Sequence, residues 1–207
     1  MIYCAQRGNK NGSAAVYELL EYAYRVEYGG ALPEIKRSFH GKPYFPEYPG
    51  VHFSLSHAVT HVLCALSGSP VGCDIESPRE LSNRALEYFS SPDELSLFEP
   101  LELWVLKESY VKLYGRTIAS IRDLRFSREG DAIVLAKGRF SGAPGVTDVT
   151  GGPGGPGEGI SSECGTQEDR FPASGNRPPV FKLFKICDCR AAACSQSEGL
   201  PDSVIFV

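Results

Sequence analysis

The hexapeptide VGCDIE (Val71–Glu76) decides how this chain is read. Apolar Val71, Cys73 and Ile75 alternate with Gly72, Asp74 and Glu76, the period-2 pattern of a strand with two unlike faces. One face suits a core. The other carries two carboxylates beside a glycine that has no side chain. That face is half of a site for a hard divalent cation such as Mg²⁺, which usually takes one or two carboxylates plus substrate phosphates. A solvated strand face with two ordinary acids has the same pattern, so the hexapeptide alone leaves both readings open.

About thirty residues on, LWVLKESYVKLYG (residues 103–115) is the strongest helical pattern in the chain. It predicts a helix over 101–114, with Gly115 where a C-terminal cap glycine belongs. Trp104, Glu108 and Lys112 stand one turn apart along one side. A solvent-exposed Glu108–Lys112 pair would contribute only about 0.3–0.5 kcal/mol. The functional reading makes Glu108 a third oxygen ligand or a general base, with Lys107 and Lys112 available for phosphate.

Working outward, residues 13–27 place Val16, Leu19, Leu20, Ala23 and Val26 at helical spacing ahead of Gly29-Gly30. Residues 51–55, 61–66 and Val71–Glu76 read as short strands, the last two joined by a turn over 67–70. A short helix is expected over 81–89. Ser91-Pro92-Asp93-Glu94 has the form of a capping box with proline at the first helical position. Residues 124–126 and 132–136 read as a hairpin. Regular structure resumes over 180–189 and closes over 203–207. The intervening 141–179 holds ten glycines and six prolines in 39 residues. Such a composition cannot bury enough apolar surface to offset its ordering entropy, so a flexible insertion is predicted there.

At 207 residues the chain can build one full domain or two small ones. A net charge of −4 argues against a general nucleic-acid binder. No apolar run long enough to span a membrane occurs, and the opening MIYCAQRGNKNG lacks the form of a signal peptide, so a cytoplasmic location is expected. Seven scattered cysteines then read as reduced thiols. Cys187, Cys189 and Cys194 lack the second Cys or His pair of a structural zinc site.

GKP (residues 41–43) adds a loop lysine, and HFSLSH (His52–His57) a Ser-His pair at a strand end. Ser56 and His57 point to opposite faces of a strand, so they are not a hydrolase dyad, and no G-x-S-x-G or P-loop glycine pattern is present. Taken in order, GKP, FSLSH, VGCDIE, Tyr88-Phe89-Ser90 with Glu94, and WVLKESYVKLYG resemble the motif series of the Sfp-type 4′-phosphopantetheinyl transferases. The tail from Cys189 onward is similar to that family's closing strand.

The resemblance implies an α+β fold of two similar halves about a pseudo-twofold axis, here residues 1–70 (shortened) and 71–207, with the active site between them. It implies transfer of phosphopantetheine from coenzyme A to a serine of an apo acyl or peptidyl carrier protein, with release of 3′,5′-ADP. Two halves in one chain can supply each other's partner surface, so a monomer is expected. By position, Asp74, Glu76 and Glu108 would hold Mg²⁺. Asp74, Glu108 and Lys112 would carry the chemistry, with Glu108 as base. Lys42, Ser56, His57 and Lys107 would contact coenzyme A.

Aligned by motif, residues 13–27 fall on the last helix of the first half, so an opening strand and a basic loop that grips the 3′-phosphate are largely missing. Lys36 and Arg37, or Arg7 and Lys10, are the cations that could replace the loop. Two other readings remain: a relative that binds coenzyme A or carrier protein without turnover, and a Mg²⁺-dependent phosphodiester or pyrophosphate hydrolase. Product release without any carrier would identify the latter.

Overall fold

A computed structural model describes residues 1–138, 178–197 and 199–207. Most of the predicted insertion lies outside them. In chain order the elements are β1 (Ile2–Gln6), α1 (Gly12–Tyr28), β2 (Lys36–Arg37), β3 (Pro43–Tyr44), β4 (His52–His57), β5 (His61–Ser67) and β6 (Val71–Glu76). Then follow α2 (Asn83–Phe89), α3 (Pro92–Leu97), α4 (Pro100–Tyr114), a 3-10 helix (Ile118–Asp123), β7 (Arg125–Glu129), β8 (Ala132–Lys137), β9 (Val180–Ile186), β10 (Cys189–Ser195) and β11 (Ile205–Phe206). The fold is a mixture of α and β. No helix among the described residues is long and apolar enough to cross a membrane.

Two sheets carry the site. One has the order β11-β1-β5-β4 and the other β6-β10-β9; β2-β3 and β7-β8 form small two-stranded sheets. The turn over 67–70 therefore leads out of one sheet into the other. Helix α1 covers the first sheet, burying Val16, Leu19, Leu20 and Tyr24 against Phe45, Phe53, Val62 and Cys64. Helix α4 covers the second, burying Leu106, Tyr110 and Leu113 with Phe126, Phe181 and Ala192. A third cluster draws Ile2, Cys4, Leu63, Ala65, Cys73, Ile75, Ala191 and Ala193 from strands of both sheets. Alternation explains this sharing: β5 and β6 each send one set of side chains to a helix and the other to the common core.

Local chemistry sets the helix ends. Asn11 caps α1 by accepting from the Ser13 backbone N–H at 2.9 Å. The capping box at Ser91 and Glu94 starts α3 as expected. Helix α4 begins at Pro100 behind a second box, Glu99 with Glu102, and ends on Gly115 at φ 63°, a left-handed conformation that favours glycine. Strand β1 was not anticipated from the sequence. Five residues with buried side chains on both faces show no alternation, and β1 exists by pairing antiparallel to β5 and parallel to β11. The run over 180–189 divides at Cys187, whose φ of 52° turns β9 into β10.

Candidate active site

Strand β6 and helix α4 meet along the polar face of VGCDIE. A Cβ on Gly72 would stand 2.0 Å from the Ser109 carbonyl oxygen and 2.5 Å from the Leu113 backbone nitrogen. The glycine makes room for the helix, so the two backbones touch at one end of the strand. Two residues on, Asp74 faces Lys112; two further, Glu76 faces Trp104. Asp74 and Glu76, two apart on the strand, thus reach Lys112 and Trp104, eight apart on the helix, with Glu108 midway between those two.

Asp74 is buried, at 5% exposure. Its Oδ1 accepts from Ser56 Oγ at 2.7 Å and from Lys112 Nζ at 2.7 Å. Lys112 also donates to Ser56 Oγ at 2.9 Å, tying β4, β6 and α4 together at one point. Burial works against the Lys112 ammonium, but Asp74, Cys73 and Glu108 outweigh it and hold its pKa above the usual value. Burial first, then the charges of Asp74 and Glu76, push the Glu108 carboxyl up to about 7 against the pull of Lys112.

Asp74 Oδ2 and Glu108 Oε1 are buried without a hydrogen-bond partner. Burying polar oxygens unpaired is costly, and paired orphans on neighbouring carboxylates suit a cation that both could share. The third acid is arranged differently. Glu76 Oε1 accepts from Trp104 Nε1 at 3.1 Å, and Arg79 lies against the same carboxylate. Among the described residues, no three His, Cys, Asp or Glu side chains stand ready-made as a metal-holding group. Two carboxylates plus substrate oxygens fit Mg²⁺; three preassembled carboxylates are not what the fold presents.

Beside these acids opens a cleft of about 290 Å³ between the start of α1, β4 and the end of α4. Arg37, Lys42, His57, Lys112 and Arg116 line it, with Ser13 from the first turn of α1, and among the described residues no Asp or Glu does. In a chain of net charge −4, such a cleft is a local concentration of cationic side chains. His57 lies against the start of α1, where Gly12 leaves space: a Cβ there would stand 2.7 Å from His57 Nδ1.

Ser56, Asp74, Glu108 and Lys112 are therefore gathered in one place, with His57 and Lys42 on the adjoining cleft wall. Lys42 has a second task. Its Nζ donates to the Leu113 carbonyl at 2.6 Å and the Val71 carbonyl at 3.3 Å, and burial lowers its pKa to about 8. Lys107 is not brought to this group. It is fully buried and donates to the Phe89 and Leu124 carbonyls, with Glu94 Oε1 at 2.9 Å. One residue turns an α-helix by about 100°, which carries Lys107 away from Glu108 and onto the apolar side with Leu103, Tyr110 and Val111. Glu94 is a framework residue too, also accepting from Phe126 N at 2.9 Å and from Ser91 N at 3.0 Å.

Of Arg7, Lys10, Lys36 and Arg37, only Arg37 lines the cleft. Arg7 donates to the Lys10 and Ala58 carbonyls, Lys10 pairs with Glu18, and Lys36 pairs with Glu34 at 3.9 Å. Arg116 and Arg79 were missed. Arg116 follows the helix-capping Gly115, and that position next to a helix end was its only sequence signal.

Part of the chain is similar to known proteins. Residues 70–141, from β6 past α4, match the family model of the 4′-phosphopantetheinyl transferase superfamily. It is similar to 4′-phosphopantetheinyl transferase psf-1 of Bacillus pumilus, 36% identical over 105 residues that make up 44% of this chain and 45% of that protein. It is also similar to 4′-phosphopantetheinyl transferase Sfp of Bacillus subtilis (strain 168), 32% identical over 90 residues, 39% of this chain and 40% of that protein. A third relative, 4′-phosphopantetheinyl transferase gsp of Aneurinibacillus migulanus, is 34% identical over 91 residues. The matched stretch spans less than half the length of each relative.

Proposed function

We propose that this protein transfers 4′-phosphopantetheine from coenzyme A to a serine of an apo acyl or peptidyl carrier protein, in a Mg²⁺-dependent reaction that releases 3′,5′-ADP. The observation that carries this reading is the juxtaposition of two orphaned carboxylate oxygens, on Asp74 and Glu108, with a cation-lined cleft and Lys112 between them. A nucleotide pyrophosphate ester needs such a pairing: cations for its phosphates and carboxylates for a metal at the reacting phosphorus.

In this reading Arg37, His57 and Arg116 receive the nucleotide's phosphates at the cleft. Asp74 and Glu108 hold Mg²⁺, which acts as a Lewis acid on the pyrophosphate oxygens when bound. Glu108 takes the proton of the carrier serine. Without metal its carboxyl is raised to about 7, and a bound cation would favour the ionised form that a base needs. The serine oxygen bonds to the pantetheine-side phosphorus, and the bond from that phosphorus to the bridging oxygen breaks, leaving 3′,5′-ADP. Lys112, aimed by Asp74 and Ser56, stabilises charge growing on the phosphate oxygens. Residues 1–70 and 71–207 would act as two related halves of one monomer, with the reaction at their junction.

Intact mass spectrometry of apo carrier proteins, incubated with the protein, coenzyme A and Mg²⁺, tests this. The expected result is a gain of one phosphopantetheine, lost with Asp74→Ala and with chelator. Coenzyme A binding without any mass gain would favour a non-catalytic relative. Release of 3′,5′-ADP without carrier would favour a hydrolase.

A further inference from the structure

The three acids at the site differ in what they hold. Asp74 Oδ2 and Glu108 Oε1 are buried with no partner, whereas both oxygens of Glu76 are engaged. Arg79 Nε donates to Glu76 Oε2 at 3.3 Å and Arg79 Nη2 to Oε1 at 3.4 Å, and Trp104 Nε1 donates to that same Oε1 at 3.1 Å. The guanidinium also lies over the Trp104 ring, 5.5 Å from its centroid. The arrangement is a closed clasp: Arg79 grips Glu76, and Trp104 braces both.

We propose that Arg79 is an internal competitor for the divalent-cation site, drawing Glu76 onto Trp104 so that a cation recruits the third carboxylate only by displacing a guanidinium. This rests on the cation reading of Asp74 and Glu108 above. A guanidinium and a divalent cation seek the same electron pairs on Glu76, and a carboxylate in a two-point grip has little to spare for a metal. The exposures set the strength. The Arg79 side chain is 46% exposed and that of Glu76 28%, so the pair is solvent-screened. Pairs of this kind are weak enough that the clasp alters cation affinity by about two- to fivefold rather than abolishing binding. It is a threshold, not a block.

The test titrates the full chain with manganese(II) alone and follows free ion by electron paramagnetic resonance. Arg79→Ala is expected to bind about two- to fivefold more tightly than the parent. In a Glu76→Gln background the same substitution should change nothing, because the carboxylate under competition is gone. Unchanged or weaker binding by Arg79→Ala overturns the clasp. So does a tightening that persists with Glu76→Gln, which would report only a change in overall charge. Trp104, the one tryptophan in the sequence, supplies a second readout with Mg²⁺. Its emission should shift on cation binding in the parent and stay constant in Glu76→Gln; a silent parent that still binds manganese overturns the release of Glu76. If no variant binds the ion at all, the cation reading itself fails, and the clasp with it.

Discussion

Glu108 and His57 show how far single side chains at this site are set by what surrounds them. Without metal, the Glu108 carboxyl is raised to about 7, first by burial and then by Asp74, from an ordinary value of 4.5. Between those values the folded state binds the proton more tightly than the unfolded chain does. The stability that Glu108 contributes is therefore complete below the lower value and lost as pH rises through the upper one. Glu108→Gln removes this loss. In chelator, its unfolding free energy relative to the parent should rise by on the order of 2 kcal/mol between about pH 5 and pH 8. Parallel pH profiles for the two proteins would show that Glu108 ionises freely. Gly12→Ala is expected to act on binding and stability in opposite senses. The added methyl would stand 2.7–2.8 Å from the His57 ring, which is exposed and free to swing away from the cleft. Coenzyme A affinity by calorimetry should fall up to about tenfold for a lost charge-assisted hydrogen bond. Thermal stability should hold or rise slightly, because alanine is the better helix former. An unchanged Kd would show that the ring does not shape the pocket.

At the scale of elements, the packing of β6 on α4 matters most. Gly72→Ala forces a methyl into backbone rather than into a side chain that can turn aside, so strand and helix must part. A loss of about 3 kcal/mol in urea unfolding is expected, the upper end of ordinary overpacking costs. A loss below about 1 kcal/mol would mean that the two elements slide easily, and that the spacing from Asp74 to Glu108 is loosely held. Much of this contact was legible in the sequence. Alternation put Asp74 and Glu76 on one strand face, and helical spacing put Trp104, Glu108 and Lys112 on one side of α4. Gly72 was legible only as a gap beside the acids, because nothing local says that a helix backbone fills it. Lys107 was half-legible. Its place beside Glu108 suggested a phosphate contact, yet its neighbours one turn away, Leu103, Tyr110 and Val111, mark the buried side. Burying a lysine on that side requires Glu94, which lies thirteen residues earlier on another helix. No local pattern announces such a partner.

For the whole molecule, the question is whether residues 1–70 and 71–207 are separable units. What the sequence could not show is how these two segments hold each other, since every such contact is long-range. Strand β11, from the end of the chain, pairs with β1 at its start, and Val207 N donates to the Cys4 carbonyl at 3.0 Å. Cys73 N donates to Ser54 Oγ at 3.0 Å, linking β6 to β4. Lys42 reaches from the first segment to carbonyls at the start of β6 and the end of α4. The common core takes apolar side chains from both sheets, so splitting the two segments would expose Leu63, Ala65, Cys73 and Ile75 together. Exposing that much apolar surface costs more than a small half could recover alone. One cooperative unfolding transition is therefore expected. In urea, Trp104 fluorescence reports α4 and hydrogen exchange of α1 peptides reports the first half; their midpoints should coincide. Separated midpoints, with α1 losing protection first, would instead show a second half that stands alone, with Asp74 and Glu108 still in place but the cation-lined cleft dismantled.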